Sequence, residues 1–293
     1  MLPKYIPNTI LSCMNYAARC DQYIMRPDAA GFGFETNNTI HVKDGMKIYC
    51  WAMRVNELFE LVEKTNTKDL ILISGDDDNL TDPNGTTLYN DPLNLLYAVP
   101  KFMPKNFKKW YSQNAEVANN TMIPIPVGVC PPWARGASNT PQLADVIMDI
   151  PRTKLMYSNF MNDTNRWKRP QIFNIVTSNL GDKCTVGNYT YNKEELKFQF
   201  YRDIQEHHYT LCPPGNSKES HRMWESLYLG GIPVVEDNAS NRYFAQFFPI
   251  LVVERWCDIT EEFLKSKLEY FQSKNWRYDL LDTDNLFKEY GLS

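Results

Sequence analysis

The alternation of apolar and polar positions along the chain predicts an α/β protein. In the first half, Lys47–Ala52 and Asp69–Ser74 are short apolar runs typical of buried strands. Between them, apolar residues recur at helical spacing, which predicts an amphipathic helix over Arg54–Lys64. A strand, a helix and a strand of these lengths indicate two parallel strands joined by a right-handed crossover.

The second half of the chain repeats this alternation. Lys154–Phe160 restarts the apolar pattern, and Pro170 suits the first turn of a following helix. Further strands are predicted at Tyr209–Cys212 and Ile232–Val235, and further helices at Lys193–Glu206, Ser220–Leu229 and Thr260–Gln272. Parallel sheets of this kind bind ligands at the carboxyl ends of their strands.

The stretch from His207 to Asp237 carries the most specific chemical pattern. Pro213–Asn216 ends the first apolar run, and Gly230 with Gly231 ends the helix that follows. An advance of roughly 100° per residue divides this helix into two faces. The polar face holds His221, Arg222, Glu225 and Ser226, and the opposite face holds Met223, Trp224, Leu227 and Tyr228.

The start of this helix is a candidate phosphate site. Backbone N–H groups at Ser217–Ser220 and the positive end of the helix dipole favour an anion, and Gly215 allows close approach. Arg222 can fork onto phosphate oxygens, and Glu225 can accept hydrogen bonds from ribose hydroxyls. The alternative is a helix capped by Asn216 or Ser217 with a solvated polar face. Spacing alone leaves both interpretations open.

A second polar loop follows the strand at Lys154–Phe160. Arg166, Lys168 and Arg169 lie near the start of the next helix, which makes Arg166 and Arg169 candidate phosphate contacts. Basic residues on an ordinary helix surface are an equal alternative.

Ser220, Arg222 and Glu225, followed by the turn and strand Gly230–Val235, resemble the nucleotide-sugar segment of exostosin-like, family 47-like glycosyltransferases. A weaker resemblance to α1,3-fucosyltransferases aligns Arg222 with a phosphate-binding lysine and His221 with a glutamate. The segment is also similar to stand-alone glycosyltransferases of bacteria and of chloroviruses, which build capsid glycans and include an enzyme for xylose. These resemblances imply a GT-B fold, two Rossmann-like domains facing across a cleft.

Length and composition set the limits of this interpretation. A chain of 293 residues with 43% hydrophobic and 13% aromatic content can form two cored domains. We expect an acceptor-binding domain over residues 1–135, a linker over 136–153, and a nucleotide-sugar-binding domain over 154–293. The tail of the last domain is expected to pack back on the first.

The charge and cysteine content exclude several other classes of protein. The net charge of −4 disfavours a nucleic-acid partner, which normally requires a basic face. No apolar run is long enough to cross a bilayer and no secretory core is present, so we expect no membrane anchor and a cytoplasmic location, in a host cell if the protein is viral. The seven cysteines include no C-x-x-C pair, which disfavours zinc.

Three adjacent carboxylates, Asp76–Asp78, follow the strand Asp69–Ser74 and have three interpretations. Asp76 and Asp78 can hold a divalent cation, as in GT-A enzymes. One of them can instead serve as a general base, with Asp78 favoured over Asp76 by a loose resemblance to a GT-B turn. The third interpretation is a solvated acidic turn. For sugar stacking, the candidates are Trp110, Tyr111 and Trp133, with core packing the alternative for the first two.

The sequence thus predicts a transferase that moves a sugar, with xylose a candidate, from UDP to a hydroxyl of an oligosaccharide or glycoprotein. Inversion and the uracil nucleotide are implied only by the resemblance. Metal independence and the absence of a further cofactor are expected, since the helix start and Arg222 can stabilise the leaving diphosphate. The alternatives are a non-catalytic nucleotide-sugar or glycan-binding module and a metal-dependent GT-A transferase.

Overall fold

The apolar runs of the chain form two separate five-stranded sheets, and the strands of each are parallel. The structure, a computed structural model, describes residues 2–25, 30, 39–75, 80–81, 87–88, 103–115, 118–129, 143–188 and 197–293. The C-terminal unit consists of Met1–Asn8 and Ser138–Asp282. The N-terminal unit consists of Thr9–Ala137 and Thr283–Ser293. The predicted α/β class is confirmed.

The elements have the following bounds. The strands are β1 (Gln22–Ile24), β2 (Lys47–Trp51), β3 (Leu70–Gly75), β4 (Leu80–Thr81), β5 (Thr87–Leu88), β6 (Phe107–Ser112), β7 (Met122–Pro124), β8 (Lys154–Ser158), β9 (Cys184–Val186), β10 (His207–Leu211), β11 (Ile232–Glu236) and β12 (Leu251–Val253). The helices are α1 (Cys13–Ala17), α2 (Val55–Val62), α3 (Leu143–Val146), α4 (Arg169–Leu180), α5 (Lys197–Glu206), α6 (His221–Tyr228), α7 (Ala239–Phe244), α8 (Glu261–Ser273) and α9 (Thr283–Glu289).

The sheet of the N-terminal unit has the order β1-β2-β3-β6-β7, and β4 pairs with β5 in a separate hairpin. The predicted strand, helix and strand over residues 47–74 are present as β2, α2 and β3, with β2 and β3 paired in parallel. Val55, Leu58, Phe59 and Val62 recur one helical turn apart on α2 and are buried. Every residue of β3 is buried, as expected for a central strand of a covered parallel sheet.

Trp110 and Tyr111 of β6 belong to this core. The Trp110 indole packs edge-on to Phe59 and donates its Nε1–H to Ser74 Oγ at 2.7 Å. The Tyr111 ring stacks on Tyr290, with ring centroids 5.2 Å apart. Both residues are about 1% exposed, so the core-packing alternative holds for both. Trp133 lies outside the described residues.

The last residues of the chain complete the N-terminal unit. Leu286, Phe287 and Leu292 are buried, and Thr283 donates its backbone N–H to Thr9 O at 2.9 Å. Of the predicted linker 136–153, residues 136–142 lie outside the described residues, and α3 with the segment after it belongs to the C-terminal unit.

The sheet of the C-terminal unit has the order β9-β8-β10-β11-β12. One of its faces carries the cluster that includes Met156, Tyr209 and Leu211 together with Ile172 and Val176 of α4. The other face carries Tyr157 with Phe200 of α5. Helices therefore cover both faces, in the manner of a doubly wound sheet.

Candidate functional site

The strand order of the C-terminal sheet defines a topological switch point. The first strand, β8, lies between β9 and β10, so the chain winds outward from it in both directions. After β8, α4 packs on the face of Met156. After β10, α6 packs on the opposite face, where Ser226 Oγ donates to Thr210 Oγ1 at 3.0 Å and Thr210 pairs with Tyr157. The two loops diverge between β8 and β10, where open α/β sheets form ligand crevices.

Helix α6 begins at His221, and its N-cap is Ser220 in an extended conformation. Neither Asn216 nor Ser217 caps it; Ser217 Oγ donates to Glu219 O at 2.9 Å. The predicted amides of Ser217–Ser220 therefore precede the helix, and the amides at its positive end begin with His221. The Ser220 hydroxyl makes no capping bond, and within the described structure it is buried without a hydrogen-bond partner.

Arg222 and Glu225 form an ion pair one turn apart on α6. Arg222 Nε lies 3.1 Å from Glu225 Oε2, and the two side chains are 11% and 3% exposed. Arg222 Nη1 also donates to Asn159 O after β8, and its guanidinium lies 4.1 Å from the centroid of the Phe200 ring. The alternative of a solvated polar face is wrong for Glu225 and for Ser226, which are both buried.

Arg169 makes the corresponding bonds in the other direction. It starts α4, the helix after β8, yet its Nε donates to Pro214 O at 3.0 Å and its Nη2 to Pro213 O at 3.5 Å, both after β10. Its Nη1 donates to Met161 O at 2.8 Å. Arg169 and Arg222 thus each bond the loop that follows the other strand. The two guanidinium groups fix the loops on either side of the crevice.

Gly215 allows this close approach. A Cβ atom at Gly215 would lie 3.0 Å from Arg169 Nη2 and 3.4 Å from Thr164 Cγ2. Asn165 Nδ2 donates to Gly215 O at 2.8 Å. The space beside Gly215 that the sequence assigned to a ligand is therefore occupied on one side by the loop after β8.

Arg222 is held by Asn159, which is held in turn by Tyr157, and neither of these two residues was predicted from the sequence. Asn159 Nδ2 donates to Tyr157 Oη at 3.0 Å, and the backbone carbonyl of Asn159 accepts from Arg222. Burial raises the pKa of Tyr157, so its hydroxyl stays protonated at neutral pH. Gly187 packs against this hydroxyl and leaves no room for a Cβ atom.

Residues 138–251 match the family model of the RXYLT1 C-terminal domain. This family is related to xylosyltransferases, and the match supports a glycosyltransferase-like relation. The search of curated proteins finds no match. The matched segment covers less than half of the chain and runs through β8, β9, β10 and β11 to the first residue of β12. It therefore contains both loops of the crevice and the residues of the crevice named above.

The remaining predicted residues lie at the rim of the crevice or outside the described structure. Asn216 is exposed, and His221 is half-buried in the first turn of α6. Arg166 is exposed, with no partner in the described structure. The catalytic candidates Asp76 and Asp78 lie outside the described residues, directly after the end of β3 at Gly75.

No group of three or more His, Cys, Asp or Glu side chains that could hold a metal ion occurs among the described residues. No helix within the described ranges is long and apolar enough to cross a membrane.

Proposed function

We propose that this protein is a glycosyltransferase that moves a sugar, with xylose the first candidate, from UDP to a hydroxyl of an oligosaccharide or glycoprotein. The observation that carries the proposal is the coincidence of the crevice between β8 and β10 with the segment that matches the xylosyltransferase-related family. The C-terminal unit would bind the donor. A GT-B arrangement remains part of the proposal, on the resemblance alone.

The start of α6 is the proposed site of the donor diphosphate. Helix starts favour anions because their amides and the helix dipole present positive charge. The Ser220 hydroxyl supports this placement, because it is buried without a hydrogen-bond partner among the described residues, which is unfavourable until a ligand or water bonds it. Arg222 would add a fixed positive charge that requires no reorganisation, since Glu225 and Asn159 already hold its guanidinium in place.

The proposed reaction is a single displacement. A carboxylate takes the proton of the acceptor hydroxyl, the oxygen forms a bond to the anomeric carbon, and the bond from that carbon to the diphosphate breaks. The electron pair of the broken bond leaves with the diphosphate, whose charge the α6 start and Arg222 stabilise. Asp78 is proposed as the base, with Asp76 as the alternative, and the displacement implies inversion.

Ser220→Ala tests donor binding without a folding ambiguity. The Ser220 hydroxyl makes no hydrogen bond to any residue that the structure describes, so its removal should leave the midpoint of thermal unfolding unchanged or raised. Calorimetry with UDP should show affinity weakened by about 0.5–1.5 kcal/mol, the usual value of one hydrogen bond. Ser273→Ala at the end of α8 is the control and should match the unmodified protein in both measurements. Failure of the unmodified protein to bind UDP, or an unchanged affinity in Ser220→Ala, contradicts the proposed site.

Turnover then separates the enzyme from its alternatives. We expect slow hydrolysis of UDP-xylose without acceptor, which a binding module would not catalyse, and activity that survives EDTA. Loss of activity in EDTA with recovery in manganese would instead support a metal site at Asp76 and Asp78.

Asp78→Asn should lower transfer about 10²–10⁴-fold with UDP affinity retained, and Asp77→Asn should have a small effect. Normal transfer in Asp76→Asn, Asp77→Asn and Asp78→Asn alike would place the base elsewhere.

A further inference from the structure

Trp167 is the most exposed large hydrophobic side chain in the described structure, at 74%. It lies in the loop between β8 and α4, on the rim of the crevice. Its neighbour Arg166 is also exposed and has no partner in the described structure. An indole and a guanidinium at adjacent positions are therefore both exposed to solvent.

The backbone on both sides of Trp167 is anchored. Before it, Asn165 donates its side-chain amide to Gly215 O at 2.8 Å and accepts from the Lys168 backbone N–H at 3.1 Å. After it, Lys168 Nζ lies 2.9 Å from Glu236 Oε2, and Arg169 bonds the loop after β10. Single exposed apolar residues are common on protein surfaces and by themselves indicate nothing. An exposed indole whose loop is hydrogen-bonded to the proposed donor loop is a more specific arrangement.

We propose that Trp167 is a stacking platform for one sugar ring of the acceptor glycan, and that Arg166 bonds hydroxyl or anionic groups of the same glycan. The acceptor role rests on the proposed function. The face of an indole carries partial negative charge, and the C–H groups on one face of a sugar ring carry partial positive charge, so the two faces attract. Stacking would also remove apolar surface of both partners from water.

The openness of the platform favours a glycan over the nucleobase of the donor. Small-molecule sites bury about 70–90% of their ligand, which requires walls on several sides. At 74% exposure, the Trp167 side chain can cover one face of a ring and leaves the other in solvent. Such one-sided contact suits a sugar unit within a longer glycan that lies along the protein surface.

The test is calorimetry with xylohexaose, cellohexaose and mannohexaose. We expect the unmodified protein to bind at least one of them. Trp167→Ala should weaken that binding about tenfold or more, as expected for an aromatic anchor residue. Trp167→Phe retains an aromatic face and should lose less. Tyr270→Ala is the matched control. Tyr270 is a 53% exposed aromatic residue on α8, and Lys274 at the end of α8 lies near its ring. This variant should bind like the unmodified protein.

The outcomes separate this proposal from the proposed function. Equal glycan affinity in Trp167→Ala, or no binding of any hexasaccharide by the unmodified protein, overturns the platform. Loss of UDP affinity in Trp167→Ala with glycan affinity retained also overturns it, and would assign the indole to the nucleobase. If the unmodified protein binds a hexasaccharide through Trp167 but no UDP, the platform stands and the donor proposal fails.

Discussion

The ion pair of Arg222 and Glu225 is the residue-scale feature on which the crevice most depends. Both charges are withdrawn from solvent, and each offsets the desolvation of the other. Removing one partner leaves the other buried without this ion pair. The loss of Arg222 would therefore lower stability as well as weaken ligand binding. A single alanine variant does not separate these two effects.

A paired substitution separates these effects. Arg222→Met should lower the free energy of unfolding by about 3–5 kcal/mol, because Glu225 stays buried and loses its ion pair with Arg222. The double variant, Arg222→Met with Glu225→Met, should recover much of the lost stability. Its affinity for UDP should nevertheless stay below that of the unmodified protein. Urea unfolding and calorimetry measure the two effects.

The control is Arg255→Met, in an exposed pair with Asp258 at the same spacing, and we expect no measurable change in stability. A double variant no more stable than the single one would contradict a coupled buried pair.

His207 gives a pH-dependent prediction at the same scale. Its ring bonds Asp203 O through Nδ1 and Thr185 Oγ1 through Nε2 at 2.8 Å, and burial lowers its pKa from 6.5 to about 4. Between pH 6.5 and 4 the unfolded chain binds a proton that the folded chain does not. The contribution of His207 to the free energy of unfolding is therefore fully present above pH 6.5. It falls as the pH drops toward 4, by up to about 1.4 kcal/mol per pH unit.

The check is urea unfolding across this pH range. His207→Gln should lose the slope assigned to His207, whereas His41→Gln, at an exposed position, should keep it. His208 is present in both variants, so their difference isolates His207. An unchanged slope in His207→Gln would show that other groups cause the pH dependence.

At the scale of elements, the two loops of the crevice are joined by two arginines. The arginine that follows each strand bonds the loop after the other strand. Arg169 holds Pro213 and Pro214 although it belongs to the helix after β8. Its partners are backbone carbonyls in the loop after β10, far from Arg169 in the sequence. No local sequence pattern indicates a hydrogen bond over such a separation. We therefore propose that Arg169 positions the donor loop, with its predicted contact to phosphate remaining a prediction.

Hydrogen exchange can test the positioning role. Arg169→Met removes bonds to the loop after β10, so the amides of residues 215–223 should exchange faster and UDP affinity should fall. Arg166→Met is the matched control, because Arg166 lies three residues earlier and has no partner in the described structure. Exchange in residues 215–223 should not change in that variant. Equal exchange in both variants would assign Arg169 a purely local role in α4.

The sequence predicted the elements with strong apolar runs and clear turn residues. β2, α2, β3, β8, β10, α6 and β11 are present close to their predicted bounds. The three-residue strands β9 and β12 were not predicted, because runs that short carry little periodic signal. Trp167 was missed as well. The available signal was a single tryptophan within Asn165–Arg169, an otherwise polar and basic stretch between a strand and a helix.

At the scale of the whole molecule, the chain ends are shared between the units. Met1–Asn8 belongs to the C-terminal unit, where Tyr5 donates its backbone N–H to Tyr228 O at the end of α6. Thr283–Ser293 belongs to the N-terminal unit, where Tyr290 Oη donates to Pro124 O at 2.9 Å. Each unit is therefore built from two separate parts of the sequence.

This division predicts a localised effect of Phe287→Ala. The side chain is buried in the N-terminal unit, and its truncation should lower stability by about 3–5 kcal/mol. Hydrogen exchange should accelerate in β2 and β3 and remain slow in β10 and β11, although β10 and β11 are nearer to residue 287 in sequence. Phe198→Ala, at an exposed position on α5, should change neither region. Faster exchange in β10 and β11 than in β2 and β3 would contradict the assignment of α9.

The position of α9 also has a consequence for the timing of synthesis. Residues 9–137 are translated before residues 138–282, but Leu286, Phe287 and Leu292, which belong to the core of residues 9–137, are translated after them. At about 5–20 residues per second, roughly 8 to 31 s pass between translation of residue 137 and of residue 293. Throughout that interval the nascent N-terminal unit exposes the apolar surface that α9 later covers. Of the two units, the one whose sheet is translated first is thus the one whose core closes later, and chaperones have that interval in which to bind it.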